Sequence, residues 1–516
     1  KETGASAVVL SIEGAGNTGA GDSTGMASSL SETSSRGHRD DTIRSGDFLC
    51  DQDIVSSRTA SASRHIAELE RWGVNFRRGP EGIPLTKTMP GHAMPRVAGC
   101  GDTTDAEIQQ ILEEQCMKKG ISRRGDTLVL NIVSTENKVH GVTVLDLSNG
   151  GVVALQCKSL IIADGGFEGA WTSTSSSGWG MHLAMDAGIS LRDMEFQSWT
   201  PFGIPDSEVN LPLGLIADGA LLQGPDGEIG VEAGPPSKIA AIMASNEVGW
   251  SLDMTNLSTE AKIWYSATIT NTKVRLGLDS KNEPLPVEPR VDGTLGGIPV
   301  DVDGRVIVGN WQTVFGGLYA AGDASCSGLH GAGPAAGNRL LDEIAGGAAA
   351  GTHAGSYALA KKFSGSTIIT ERLESDTQVL DSTLLSEETN QDAPRTGEIR
   401  ATLASIMSNH MNLHRSHENL NTAAEKLATL SDQSRNLKLD YTDSLLMNMN
   451  LVENLRMRSL VDMAKVSVAA AIHRQESRGT HVRDDHEDRD DEEFLKHSLV
   501  GSDGNVEWLP LRKSVG

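Results

Sequence analysis

The chain has 516 residues, too many for a single hydrophobic core, so we expect two or three domains. Acidic residues outnumber basic ones by 69 to 45, and the resulting net charge of −24 argues against nucleic acid as a partner because it repels phosphate backbones. The 5 cysteines are scattered without a Cys-x-x-Cys pair, which argues against a zinc or iron-sulfur site and favours a reducing compartment.

The first predicted element is a short apolar strand that leads into a glycine turn. Residues 7–12 read AVVLSI and are followed by Gly14, Gly16 and Gly19 in the Gly-x-Gly-x-x-Gly order of a dinucleotide-binding fold. Gly14 would permit the turn, and Gly16 would let a pyrophosphate approach the amides of the next helix. The motif alone is a weak signal, because a plain glycine turn has the same pattern.

The pattern that follows predicts a split α/β domain interrupted by an insertion. Strand-like runs continue to about residue 204, weak periodicity then predicts a separate cap, and glycine-rich α/β character returns after the cap. A polar stretch predicts a linker, and apolar residues at helical spacing predict long C-terminal helices. One such stripe contains Leu403, Ile406, His410, Leu413, His417 and Leu420. The predicted boundaries are 1–204 and 292–361 for the nucleotide domain, 205–291 for the cap, 362–397 for the linker and 398–516 for a C-terminal helical domain.

The sequence contains no stretch of about 18 apolar residues, and no basic segment followed by an apolar one opens it. We therefore expect a soluble chain that contacts a membrane only through another subunit.

Four dispersed segments carry a family resemblance: 41–53 (DTIRSGDFLCDQD), 191–196 (LRDMEF), 296–305 (GGIPVDVDGR) and the charged stretch 476–497. The first is similar to the D-T-V-K-G-S-D-Y-L-G-D-Q-D stretch of the succinate dehydrogenase/fumarate reductase flavoprotein subunits, and the third to their G-G-I-P-T-D-V-D-G-R stretch. All four keep the family order. The resemblance runs from residue 7 to about residue 500.

The resemblance implies an α/β fold with a split FAD-binding Rossmann-like domain, an inserted capping domain and a C-terminal helical domain. It implies that FAD lies across the split domain and that the cap closes over a dicarboxylate, succinate or fumarate. Because this chain has no cluster ligands, electrons would leave through an iron-sulfur subunit. Membrane-anchor subunits would then hold the complex at the cytoplasmic face of the inner membrane, or at the matrix side in a mitochondrion.

The resemblance also assigns FAD binding to residues from both parts of the split domain. They are Gly14, Gly16, Gly19, Gly165, Gly166, Gly322, Asp323, Asn338, Arg339 and Leu340. The segment between Gly19 and Asp51 is too short to include the histidine that often links FAD covalently in this family. We therefore expect any FAD to be held non-covalently.

The positions that bind substrate in the family carry different residues here. Thr200 and Asp292 align with two histidines, and Pro334 aligns with a carboxylate-binding arginine. No arginine lies near Ser237 and Lys238, where the proton-shuttle arginine is expected. The candidate catalytic residues are therefore Lys238, Thr200, Asp292 and His330.

These differences leave three functions open. The leading one is succinate:fumarate oxidoreduction by a flavoprotein subunit. A catalytically silent scaffold is the second, because a dianion in a closed cavity must be neutralised and the cationic side chains are missing. The third is an L-aspartate oxidase-like enzyme, which shares the fold but normally works without an iron-sulfur subunit.

Overall fold

The computed structural model describes residues 2–12, 25–30, 32–225, 227–230, 234–245, 249–309, 311, 313–385, 393–440 and 443–512. The predicted glycine turn with Gly14, Gly16 and Gly19 therefore lies outside the described residues. Within the described ranges, no helix combines the length and the apolar character needed to cross a bilayer.

The N-terminal region alternates strands and helices, and β1 pairs in parallel with β5. Its helices are α1 (Glu32–Ser45), α2 (Gln52–Trp72), α3 (Thr104–Lys118) and α4 (Trp179–Asp186). Its strands are β1 (Val8–Leu10), β2 (Met26–Ala27), β3 (Thr86–Lys87), β4 (Val97–Ala98), β5 (Ser122–Arg124), β6 (Thr127–Thr135), β7 (Lys138–Asp146), β8 (Gly151–Gln156), β9 (Leu160–Ile162) and β10 (Leu191–Arg192).

The next region forms an antiparallel sheet in the order β11-β15-β14-β12-β13. Its strands are β11 (Gln197–Gly203), β12 (Leu221–Gly224), β13 (Gly227–Ile229), β14 (Trp250–Asp253) and β15 (Leu285–Thr294). Its helices are α5 (Gly214–Ala217), α6 (Pro236–Ala244), α7 (Thr259–Trp264) and α8 (Ser266–Leu276). Phe202, Leu222 and Leu252 belong to a hydrophobic cluster that lies mainly within this region.

After this region the chain returns to the nucleotide domain and completes its main sheet. The new elements are β16 (Ile298–Pro299), β17 (Arg305–Val308), β18 (Thr313–Ala320), β19 (Ser325–Cys326) and α9 (Asn338–Ala360). The sheet has the order β17-β18-β7-β6, with β8 on β7 and β9 on β18, and β18 runs parallel to both β7 and β9. The sheet is mixed, because β17 with β18, β6 with β7 and β7 with β8 are antiparallel. Its strands come from both sides of the insertion, as a split nucleotide domain requires.

The expected linker at 362–397 is wrong in its main part, because the structure contains helix α10 (Ser366–Leu385) there. Ile369 and Leu380 are buried, and α10 packs against β6, β7 and β8. The buried carboxylate of Asp376 accepts a hydrogen bond from Asn131 at 2.9 Å and pairs with Arg372 at 2.9 Å. One of the buried residues of α10 is therefore an acid, Asp376, which a sequence pattern does not distinguish from an exposed polar residue.

The C-terminal region is mainly helical, as predicted, and its described residues also contain four short strands. Its elements are α11 (Thr396–His410), β20 (His414–Arg415), α12 (His417–Arg435), α13 (Met449–His473), β21 (Val482–Arg483), β22 (Lys496–Val500) and β23 (Val506–Pro510). The stripe from Leu403 to Leu420 is therefore broken between two helices, and the Ser416 hydroxyl caps α12 by accepting a hydrogen bond from the Asn419 amide at 3.2 Å. Leu403 and Leu420 share one core with Phe167 of the nucleotide domain.

A buried ion-pair network joins distant parts of the chain. Arg192 Nη1 lies 3.1 Å from Asp51 Oδ2, and Arg474 Nε lies 2.6 Å from Glu195 Oε1. The ring of His497 bridges Asp193 at 2.6 Å and Asp51 at 3.3 Å. The network contains two groups of buried charges, which Ser498 joins by donating its amide to Asp193 and its hydroxyl to Glu195. The first group is Asp51, Arg192, Asp193 and His497, and the second is Glu195, Arg474, Glu476 and Arg478.

Mutual charge stabilises the ionised members of this network. Burial alone would raise the pKa of Asp51, but His497 and Arg192 hold it well below its ordinary value. Burial alone would lower the pKa of His497, but Asp193 and Asp51 raise it. Three of the four segments that carry the family resemblance therefore meet in one buried cluster.

Substitution of Arg192 by Met tests this network. Arg192→Met removes the fully buried arginine partner of Asp51 and leaves this carboxylate with His497 and the less buried Arg512. We therefore expect the free energy of unfolding to fall by about 3–5 kcal/mol. The matched control is Arg395→Met, which removes an exposed pair with Asp440 at 3.5 Å and should cost about 0–1 kcal/mol. Urea denaturation of both variants measures the difference, and equal losses would contradict the proposed role of the network.

Candidate active site

The candidate residues meet where several elements of the split domain begin or end. Gly165 and Gly166 follow β9, whereas Gly322 and Asp323 follow β18. Because β9 and β18 are parallel neighbours, the loops after them emerge at the same carboxyl edge of the sheet, where α/β folds bind ligands. Asp292, near the end of β15, and Arg339, in the first turn of α9, lie at the same place.

Gly166 is a point of very close packing. A Cβ at this position would lie 2.1 Å from Thr294 Oγ1 and 2.8 Å from Glu168 Oε2, so only glycine fits. Gly165 precedes it with a φ of 89°, in the left-handed region that favours glycine. The pair of glycines thus brings the loop after β9 against the end of β15.

Arg339 is enclosed by acidic groups. Its Nη1 donates a hydrogen bond to the Asp292 carbonyl oxygen at 3.2 Å and lies 3.5 Å from the Asp292 carboxylate oxygen Oδ1. Its Nη2 donates to Asp323 Oδ2. The guanidinium fits here only because residue 293 is a glycine, since a Cβ on Gly293 would lie 2.1 Å from Nη2.

Burial shifts the pKa values of further titratable groups around this arginine. Burial, together with nearby Asp323, raises the pKa of Glu343 to about 8, and the same two causes raise the pKa of Glu168. Burial raises the pKa of Asp292 although Arg339 opposes the shift. Burial also lowers the pKa of His330, so its imidazole is neutral at pH 7.

A small cavity of about 10 Å³ lies among these groups. Its lining includes Thr294, Asp323, His330, Arg339 and Glu343. This volume suffices for about one water molecule. The immediate surroundings of Arg339 are therefore crowded as well as acidic.

Several polar atoms at this place have no hydrogen-bond partner in the described part of the chain. They are Glu168 Oε2, Asp292 Oδ1, Thr294 Oγ1, His330 Nδ1 and Arg339 Nε. Buried polar atoms are nearly always paired, so such a group beside two loop glycines fits a site for a polar ligand. The residues present are thus compatible with holding polar parts of FAD.

Other predicted site residues have different surroundings. Lys238 is exposed and packs over Gly234, while its neighbour Ser237 lies against Gly333, so the structure does not bring Lys238 to Arg339. Thr200 is buried on β11, and its hydroxyl accepts a hydrogen bond from the Phe202 amide at 3.3 Å.

Two predicted cofactor residues have structural contacts instead. The Asn338 side chain donates to Thr42 Oγ1 at 2.9 Å and bonds with His38 Nε2 at 2.8 Å, which ties α9 to α1. Leu340 packs in a hydrophobic cluster with Met26 and Ile66. The Asn338 side chain thus holds α9 to α1 by hydrogen bonds, and the Leu340 side chain holds α9 to its neighbours by hydrophobic packing.

The sequence interpretation missed Glu168, Thr294, Asp342 and Glu343. One signal was available: Thr294 lies two residues after Asp292 on a strand, and side chains at that spacing share a face. Asp342 had no such signal, since its contact with Arg58 at 3.1 Å joins residues far apart in sequence.

Two regions of the chain match family models. Residues 1–340 match the FAD binding domain, and residues 400–514 match the C-terminal domain of the fumarate reductase flavoprotein. This chain belongs to the succinate dehydrogenase/fumarate reductase flavoprotein family. Members of the family are FAD-dependent oxidoreductases, so the predicted family, fold class and cofactor are confirmed.

Individual relatives agree with this assignment. The chain is 30% identical over 505 residues to the succinate dehydrogenase flavoprotein subunit of Rickettsia bellii, covering 91% of this chain and 83% of that one. It is 26% identical over 508 residues to the fumarate reductase flavoprotein subunit of Escherichia coli, covering 91% and 82%.

Solved structures show the same fold over the whole length. A mutant of E. coli quinol fumarate reductase superposes with a TM-score of 0.90 at 23% identity, covering 99% of this chain and 97% of that one. Sdh1 of Mycobacterium smegmatis superposes with a TM-score of 0.79 at 22% identity, covering 99% and 91%.

Gly166→Ala tests the close packing beside the candidate cofactor site. The added methyl group collides with Thr294 and Glu168, so we expect a loss of about 1–3 kcal/mol in stability and a lower ratio of FAD to protein after purification. The double variant Gly166→Ala/Thr294→Ala removes the worse collision and should recover part of both losses.

The control is Gly347→Ala within α9, where an added Cβ meets nothing within 4 Å. This change should preserve FAD content and slightly stabilise the helix. Unfolding curves and flavin absorbance measure both quantities, and full FAD retention by Gly166→Ala would contradict the assignment of this glycine.

Proposed function

We propose that this chain is the FAD-carrying subunit of a succinate dehydrogenase or fumarate reductase type of complex, and that it passes electrons to an iron-sulfur subunit. The observation that carries the proposal is the convergence of Gly166, Asp323 and Arg339 at the carboxyl edge of the split sheet. The match of both family regions supports it. The proposed location is peripheral, at the cytoplasmic face of the inner membrane or the mitochondrial matrix side, through membrane-anchor subunits.

When bound, FAD supplies the two-electron redox chemistry. The residues of this chain provide the surroundings: Gly166 allows close approach of the backbone, and Asp323 after β18 forms an ion pair with Arg339 in the first turn of α9. Burial lowers the pKa of His330, so this side chain is a neutral imidazole at pH 7 and can take part in hydrogen bonds as donor or acceptor.

The second candidate function is a catalytically silent scaffold, and the state of Arg339 favours it. This arginine pairs with Asp292 and Asp323, so its charge is already balanced within the protein. Thr200 and Pro334 supply no cation, and Lys238 is exposed. A dicarboxylate therefore meets a pocket that is acidic instead of basic.

Purification tests the proposed subunit role. Isolated in mild detergent from its own source, the chain should carry FAD and bring down a cysteine-rich iron-sulfur partner. Acid precipitation should release the flavin into the supernatant, since the chain lacks the family's linking histidine. A colourless protein would contradict the role as an FAD carrier. A stable, active protein without a partner would instead indicate an L-aspartate oxidase-like enzyme.

Succinate-dependent dye reduction separates the two candidates. Each charge-assisted hydrogen bond that the dicarboxylate site no longer offers costs on the order of 1.5–3 kcal/mol, so the unmodified complex should turn over succinate very slowly or not at all. A triple variant with Thr200→His, Asp292→His and Pro334→Arg should be faster. Normal turnover by the unmodified chain would contradict the decayed site, whereas no turnover by either form, with FAD bound, would favour the scaffold.

A further inference from the structure

Two buried histidine rings contact the start of α9. His38 of α1 bonds through Nε2 to the side-chain oxygen of Asn338 at 2.8 Å, and His92 bonds through Nε2 to the Ala336 carbonyl oxygen at 2.8 Å. Asn338 begins α9, and Ala336 lies just before that helix. The two histidines are 0% and 8% exposed. They thus join α1 and the loop between β3 and β4 to the helix that carries Arg339.

The surrounding hydrogen bonds fix the position of the proton on each ring. The Thr42 hydroxyl donates to the His38 carbonyl oxygen at 2.8 Å and therefore accepts from the Asn338 amide nitrogen, 2.9 Å away. Asn338 Oδ1 must then accept a hydrogen bond from His38 Nε2. The Ala336 carbonyl can only accept, so His92 Nε2 also carries a proton. In both neutral rings Nδ1 is the unprotonated nitrogen, and neither Nδ1 has a hydrogen-bond partner among the described residues.

The surroundings of the two rings oppose a positive charge on them. A second proton would lie on Nδ1, where the described part of the chain offers no acceptor, and the ring centroids are only 5.6 Å apart. The buried Arg96 faces both rings, and its charge would repel theirs. The acid that faces them, Asp41, pairs with Arg96 at 2.8 Å and also with Arg44. Two arginines therefore already share the charge of that carboxylate.

We propose that His38 and His92 form an acid-sensitive latch on the cofactor site: acidification charges the rings, releases α1 and the β3–β4 loop from the start of α9, and so weakens the retention of FAD. Asn338 and Arg339 are neighbours in the first turn of α9, so loss of the His38 contact loosens the turn that orients Arg339. The proposal rests on the proposed function only in placing FAD beside Arg339.

The pKa values of both rings agree with this geometry. Burial, together with His92, lowers the pKa of His38 to about 3, and burial, together with Arg96, lowers the pKa of His92 to about 4, both from an ordinary value of 6.5. Asp41 and the hydrogen bonds to Asn338 and Ala336 oppose these shifts only in part. Below about pH 6.5 the unfolded chain therefore binds more protons than the folded one. The stabilisation is complete above that pH and is lost as pH falls toward the two lowered pKa values.

Urea unfolding and amide hydrogen exchange of the FAD-loaded protein at pH 7 and pH 5 test the latch, with exchange corrected for the intrinsic effect of pH. Between these pH values the equilibrium constant of unfolding should rise by about 20-fold for each of the two histidines, and exchange in α1 should accelerate relative to α13. The double variant His38→Gln/His92→Gln keeps the Nε2 donors and should remove both contributions. If it fails to fold, each single variant should still remove about 20-fold.

The matched control is His473→Gln, because this exposed ring bonds only within its own helix, to the Ala469 carbonyl at 2.8 Å. It should leave the pH dependence of unfolding and of α1 exchange unchanged. Flavin fluorescence in the filtrate should show more FAD released at pH 5 from the unmodified chain than from the double variant.

Four results would overturn the proposal: the same pH dependence in the unmodified chain and the double variant, an equal acid response of α1 and α13, equal FAD release from both forms, or a loss in His473→Gln as large as in the double variant. A colourless protein would contradict the proposed function, yet exchange in α1 would still decide the role of the two histidines.

Discussion

The buried network around Asp51, Arg192 and His497 is the constraint on which the rest of this structure depends. Each of its charges would be costly to bury alone, so all the segments that supply them must be in place together. These segments are the N-cap of α2, β10 with the residues that follow it, the loop after α13, and β22. The network therefore fixes the C-terminal region against the nucleotide domain and, through β10 and β11, the base of the insertion.

That arrangement explains how this chain keeps the family fold although the residues at the expected substrate positions differ from those of the family. Thr200, Asp292 and Pro334 belong neither to the ion-pair network nor to the core that the nucleotide domain shares with the C-terminal helices. The hydroxyl of Thr200 on β11 accepts a hydrogen bond from the Phe202 amide, and the Asp292 carboxylate pairs with Arg339. Site residues can be exchanged without loss of the fold when the new side chains find partners inside the protein.

Electrostatics decides what the altered site can hold. With Arg339 balanced by Asp292 and Asp323, and with Glu168 and Glu343 shifted toward their neutral forms, the pocket has no spare positive charge among its described residues. A dianion would have to displace an internal carboxylate before it could bind.

The sequence by itself determined the family, the split α/β fold and the FAD cofactor, because motifs and strand patterns consist of residues that are close together along the chain. It also identified Asp292 and Arg339 separately, although it assigned one to substrate and the other to cofactor. Only the tertiary structure decided that they form a pair, that Lys238 lies outside the site and that Asn338 anchors α1. It also replaced most of the expected linker by α10. The physical reason is that each of these facts depends on contacts between residues distant in sequence, and a pattern read along the chain contains no distances.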